Sequence, residues 1–151
     1  MGTTMLRRIA SAGSLLLLAA GALLVPTSAA SAAERDGVCD AGEVCIYYNS
    51  NGEGSVSDFA GSIPSHGASQ PNCYEFKGTG NGRGKCVKNN VASVWNRSGV
   101  PVTIYYNSYY SGPSQTIPDG EPVNLRPGLK NENTSHAFIY PGVCRDKACA
   151  V

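Results

Sequence analysis

"IYYNSYYSG" spans residues 104–112, and "IYYNSNGEG" spans residues 46–54. Both begin Ile-Tyr-Tyr-Asn-Ser and both reach a glycine at the same offset, Gly54 and Gly112. Ile46–Ser50 matches Ile104–Ser108 with an offset of 58. Ser62-Ile63-Pro64-Ser65 can be laid on Thr116-Ile117-Pro118-Asp119 with an offset of 54. Asn89-Asn90-Val91-Ala92-Ser93 can be laid on Asn131-Glu132-Asn133-Thr134-Ser135 with an offset of 42. Three blocks in the same order indicate a duplicated unit. The offset falls from 58 to 42, so the first unit carries 16 extra residues. Two units, each too small to bury a sheet face alone, are expected to pack on one another.

Around the repeat lie short β-branched and aromatic runs: Val44–Tyr48, Val91–Trp95, Val100–Tyr106, Pro122–Leu125 and Ala137–Tyr140. Turn residues separate them, among them Asn51-Gly52, Asn81-Gly82, Ser111-Gly112-Pro113 and Pro118-Asp119-Gly120. No long helical period occurs. Short, closely spaced strands with such turns predict an all-β sandwich or barrel.

Residues 1–33 read as a secretory signal peptide. Arg7 and Arg8 precede an apolar run from Leu15 to Val25, and Ala30-Ser31-Ala32 supplies a small-residue cleavage pattern. The remaining residues, 34–151, fit one modest domain. Without Arg7 and Arg8, the twelve Lys+Arg become ten, against eleven Asp+Glu. That balance provides no basic footprint for nucleic acid and no attraction to an anionic membrane.

All six cysteines follow the signal segment. An even number in an exported chain reads as a disulfide framework. Proximity suggests Cys39–Cys45, Cys73–Cys86 and Cys144–Cys149. No CxxC pair or histidine partner stands at zinc spacing.

Tyr105, Tyr110 and Gly112 form the pattern aromatic, four residues, aromatic, one residue, glycine. It resembles the folded-hairpin signature of βγ-crystallin Greek-key motifs. In the first copy Tyr47 and Gly54 fit, whereas Gly52 occupies the second aromatic place and Asn51-Gly52 reads as a plain tight turn. Cys39-Asp-Ala-Gly-Glu-Val-Cys45-Ile-Tyr-Tyr48 resembles the opening of the Streptomyces metalloproteinase inhibitor family. Ile63-Pro64-Ser65 and Ser93-Val94-Trp95-Asn96-Arg97 are similar to runs in that family and its secreted relatives. The resemblance covers most of residues 39–140. It implies a crystallin-like double Greek-key sandwich stapled by disulfides. Motif one would span about 39–98 with an insertion at 73–86, and motif two about 99–140, before a loop at 144–149. It also implies a secreted inhibitor of an extracellular peptidase, a metalloprotease, acting through a rigid loop and not as an enzyme.

Two segments are candidates for that loop. The family's reactive bond is associated with a C-x-x-x-x-C loop and starts at its first cysteine. Cys144-Arg145-Asp-Lys-Ala-Cys149 has this spacing, which singles out Cys144 and Arg145. The Cys73–Cys86 segment, with Tyr74, Phe76, Lys77 and Arg83, is the other. A plain structural staple is the competing reading of both.

The crystallin resemblance also brings in calcium, through an N/D-N/D-x-x-S/T-S stretch. Asn89, Asn90 and Ser93 fit it until Val94, and Asn131, Glu132 and Ser135 are followed by His136. Neutral asparagines and missing hydroxyls predict weak Ca²⁺ binding at best. The alternative functions are therefore a calcium-binding or stress-protective module, or a wall- or glycan-binding module using exposed tyrosines. For catalysis the chain offers only His66 and His136 as histidine bases. Pro64-Ser65-His66-Gly67 reads as a turn with a surface histidine. Asp58 and Glu75 are single carboxylates. The glycines from Gly78 to Gly84 alternate without meeting a phosphate-loop pattern.

Overall fold

The computed structural model describes residues 33–142. The expected signal peptide, apart from its last residue, lies outside them, as does the Cys144–Cys149 loop with Arg145. Seven strands occur among the described residues: β1 (Val44–Tyr47), β2 (Val56–Phe59), β3 (Ser93–Asn96), β4 (Val102–Asn107), β5 (Ser111–Ile117), β6 (Val123–Asn124) and β7 (Ser135–Phe138). They make two antiparallel sheets, ordered β2-β1-β3-β6 and β5-β4-β7.

The register makes the duplication physical. Val44 faces Phe59 as Val102 faces Ile117, and Tyr47 faces Val56 as Tyr105 faces Ser114. Tyr47 likewise faces Ser93 as Tyr105 faces Ser135. The hairpins thus repeat at 58 and the return strands at 42. The middle block is corrected. Ile117 is the counterpart of Phe59, whereas Ile63 has left the first sheet. Its backbone exchanges two hydrogen bonds with His136 on β7, at 2.9 and 3.1 Å. In the opposite direction β6 crosses from the second half to pair with β3. Each half lends a piece to the other's sheet, which is the Greek-key exchange.

Strand alternation sends Val44 and Ile46, and Val102 and Ile104, into a common core with Phe59, Val94, Ile117 and Phe138. Cys45 and Tyr47 point the other way and pack with Val56, Cys39 and Trp95. The first sheet is therefore covered on both faces, and every residue of β1 and β2 is buried.

Two strands have no apolar run in the sequence. β2 carries Ser57 and Asp58, which are buried because the segment before β1 satisfies them. Both Asp58 oxygens accept backbone N–H groups, from Asp36 (2.9 Å) and Gly37 (2.8 Å). The Arg35 guanidinium donates to Ser57 Oγ and lies 4.4 Å above the Phe59 ring. β5 contains Gly112 and Pro113 and lies at a sheet edge, where a missing N–H is tolerated.

Candidate functional site

Cys73–Cys86 and Cys39–Cys45 are both formed. Cys73–Cys86 closes the insertion that follows Ile63, and this loop is laid over the first hairpin. Asn81 O accepts the Ser55 N–H at 2.8 Å, and Val56 O accepts those of Lys77 and Gly78 at 2.9 Å. Lys85 Nζ donates to Tyr48 Oη at 2.8 Å. Gly82 sits directly on the Tyr48 ring, where a Cβ would come within 2.2 Å of Cγ. That close approach demands glycine, and it accounts for part of the alternating-glycine run.

The candidate residues of this loop divide into two sets. Phe76 is 1% exposed and belongs to the core, edge-on to Tyr48. Tyr74 is half-buried against Phe59. Lys77 and Arg83 are exposed. Among the described residues, neither cationic side chain takes part in a hydrogen bond or ion pair. The alternation Tyr74-x-Phe76 was the available signal that these two rings turn inward. The outer surface of the loop thus presents two exposed cations, and a disulfide holds its base.

The candidate calcium residues serve the hairpins. Ser93 Oγ donates to Asn49 O (2.6 Å) and accepts from the Gly52 N–H (2.9 Å). Ser135 Oγ does the same in the second half, donating to Asn107 O (2.6 Å) and accepting from the Tyr110 N–H (3.2 Å). Asn89 and Asn131 adopt left-handed backbone, with φ of 59° and 61°. Their N–H groups bond reciprocally across the halves, Asn89 to Asn133 O and Asn131 to Val91 O. The Asn90 amide donates to Cys86 O and Lys88 O. Asn89, Asn90 and Asn131 border an open cleft of about 340 Å³ with Asn49, Ser50 and Lys130. Lys130 Nζ donates to Ser50 Oγ there, at 2.8 Å. Glu132 is exposed and is not among the residues bordering that cleft. A cleft that already presents an ammonium group, with both serine hydroxyls engaged elsewhere, is a poor match for Ca²⁺.

His66 is no surface residue. It is fully buried, as is His136, and their rings meet at 2.9 Å between His66 Nε2 and His136 Nδ1. The chain of partners sets both tautomers. Gly61 O can only accept, so His136 carries its proton on Nε2 (3.0 Å). His136 Nδ1 must then accept from His66 Nε2–H. His66 Nδ1 in turn accepts from the Asn133 amide at 3.1 Å. Burial lowers both pKa values, that of His136 to about 4 and that of His66 well below 6.5. The neighbouring Arg35 acts in the same direction on both. This pair is neutral, hydrogen-bonded and sealed from substrate. Asp58 is also fully buried, with both oxygens occupied. The tyrosine surface is smaller than the sequence suggests. Tyr47 is buried, Tyr48, Tyr105 and Tyr110 are half-buried, and only Tyr106 (38%) and Tyr109 (77%) remain exposed from the repeat.

Two interlocked Greek keys with serine-clamped hairpins define a crystallin-type sandwich. A βγ-crystallin structure concerned with the evolution of the eye-lens domain fold is similar, with a TM-score of 0.51 at 15% identity, over 68% of this chain and 90% of that one. At that identity the likeness establishes the fold alone. A βγ-crystallin from Ciona intestinalis is 18% identical (TM-score 0.45, 65% of this chain, 100% of that one). One from an archaeon is 17% identical (TM-score 0.46, 66% and 100%). No curated protein matches the chain in sequence. Residues 32–117, more than half of the chain, match the model of peptidase inhibitor family I36. The chain belongs to that family.

Proposed function

We propose that the chain is exported by its N-terminal signal segment and blocks an extracellular peptidase, a metalloprotease, by rigid-loop binding and without catalysis of its own. The observation that carries this reading is the Cys73–Cys86 loop. It lies inside the stretch that matches the inhibitor family and is fastened at its base by a disulfide. Nine backbone N–H groups within or onto it are bonded, at Ser55, Tyr74, Phe76, Lys77, Gly78, Arg83, Gly84, Lys85 and Val87. A loop ordered before binding loses little entropy when it docks. Lys77 and Arg83 offer two cations to a cleft with an acidic rim. Cys144 and Arg145 remain the second proposed contact.

The test is a titration of residues 34–151 against thermolysin and against trypsin- and subtilisin-type serine peptidases. Stoichiometric inhibition of thermolysin is expected, weakened by Arg83→Glu and by rising salt. No inhibition of any enzyme at micromolar excess removes the reading. Inhibition of serine peptidases alone corrects its target class.

A further inference from the structure

The two hairpins follow one backbone path with different residues. In the first, Asn51, Gly52 and Gly54 have φ of 61°, 72° and 77°. In the second, Tyr109, Tyr110 and Gly112 have φ of 58°, 60° and 78°. Left-handed backbone suits asparagine and glycine and is disfavoured for a bulky aromatic residue. The second hairpin nevertheless places two tyrosines in succession there.

Tyr110 has a reason within the fold. Its ring packs edge-on to Tyr105 at 6.0 Å and its N–H is held by Ser135. Tyr109 differs. Its N–H donates to Pro64 O at 2.7 Å, a bond any residue but proline would make. Its side chain forms no hydrogen bond or ring contact among the described residues, and it is 77% exposed. Beside it, Ser108 Oγ reaches Ser65 Oγ at 3.3 Å, so the tip is fastened on both sides. An uncompensated strain at a fixed, protruding aromatic residue is the pattern of a binding site.

We propose that Tyr109, at the tip of the β4–β5 hairpin, is an anchor that enters an apolar subsite of the peptidase this chain blocks. This rests on the inhibitor reading above. A peptidase is the occupant chosen because the family match runs through Ile117. It therefore contains the whole β4–β5 hairpin and stops before β6 and β7. Tyrosine suits the role, since it provides large contact area while losing few rotamers.

The experiment compares the wild-type chain with Tyr109→Asn, which installs the residue of the first hairpin, and with Tyr109→Phe. Tyr109→Asn relieves the strain, so its melting temperature rises by about 2–6 °C. The same variant weakens inhibition of thermolysin, or of the serine peptidase that responds, by about tenfold or more. Tyr109→Phe retains inhibition. Higher stability together with weaker inhibition cannot come from misfolding. Wild-type inhibition that Tyr109→Asn leaves unchanged overturns this proposal and leaves the inhibitor reading intact. A wild-type chain that inhibits none of these enzymes overturns both. A Tyr109-dependent pull-down on insoluble cell-wall glycan, without Tyr109-dependent inhibition, overturns the choice of partner. A lower melting temperature for Tyr109→Asn overturns the strain argument.

Discussion

The β1–β2 and β4–β5 hairpins share register, backbone path and serine clamp, yet one is covered and the other is bare. Over the first lie the Cys73–Cys86 loop, the Arg35–Val38 segment and the Cys39–Cys45 loop, and all of β1 and β2 is buried. In the second, the end of β4 and most of β5 are open to solvent. Duplication supplied two copies of one scaffold. What was laid over each copy decides which residues can meet a partner. The first hairpin became the support of a loop, whereas the second kept its own tip exposed.

The largest expected effect tests this asymmetry in the core. Phe59 and Ile117 occupy the same register position. Phe59→Ala should cost about 3–5 kcal/mol and Ile117→Ala about 2–5 kcal/mol. Phe59 should stand near the top of its range. Its ring also carries the Arg35 guanidinium at 4.4 Å and faces His66, His136 and Tyr74. Urea unfolding of both variants measures the difference. A larger loss at Ile117 would mean that the covering segments add little to the first half.

Next comes the disulfide. Replacing Cys73 and Cys86 together by serine should cost about 3 kcal/mol, from the loop it closes across a sequence separation of 13. The damage should be confined to one hairpin. Hydrogen exchange at the Ser55 amide, bonded to Asn81 O, should accelerate, and that at the Tyr110 amide should not. Equal acceleration at both sites would show that the loop supports the whole sandwich and not its own hairpin.

Acid should act at the junction of the halves, where His66 of the first meets His136 of the second. The unfolded chain titrates its histidines near pH 6.5, and the folded pair takes up protons only at lower pH, about 4 for His136. Between these values the unfolded state binds more protons, so stability is full above about pH 6.5 and declines as pH falls toward 4. For His136 alone the loss approaches about 3 kcal/mol. The groups facing the pair are Arg35 and Lys88, both cationic, with Asn133 and Gly61 O as its hydrogen-bond partners. Urea midpoints at pH 7.5, 6 and 5 should decrease in that order. A flat or rising series would contradict the neutral, sealed pair.

Much of this asymmetry could not be read from the chain. The repeat, five of the strands and the two short disulfides were legible because hydrophobic runs, spacing and cysteine proximity are local properties. β2 and β5 were not, since Ser57 and Asp58 become buried only through partners some twenty residues away, and Pro113 is tolerated only at an edge. His66 reads as a turn residue because nothing near it in sequence reveals His136, 70 positions on. Asn51-Gly52 looks like a simple turn because a left-handed path is invisible when the residues tolerate it. The same path becomes visible at Tyr109-Tyr110 only once the dihedral angles are known. For the proposed contact surface, exposure was the missing quantity. It removes Phe76 from the expected loop residues and promotes Tyr109.

The smallest effect is the one that should not differ between the halves. Ser93 and Ser135 each link the return strand to a hairpin through one accepted and one donated bond. Each hydroxyl is withdrawn from water, and removing it leaves a backbone carbonyl and an N–H short of a partner. Ser93→Ala and Ser135→Ala should therefore each cost about 1–3 kcal/mol, and by similar amounts. The bonds to Asn49 O and Asn107 O are equal at 2.6 Å, while the accepted bond is shorter at Ser93. Any difference should thus be slightly greater at Ser93. The double variant should sum the single losses to within about 0.5 kcal/mol, because the clamps belong to separate sheets and share no partner. A cost at Ser135 well below that at Ser93 would mean that the exposed hairpin frays and does not hold its tip fixed. The rigid presentation of Tyr109 would then fail with it.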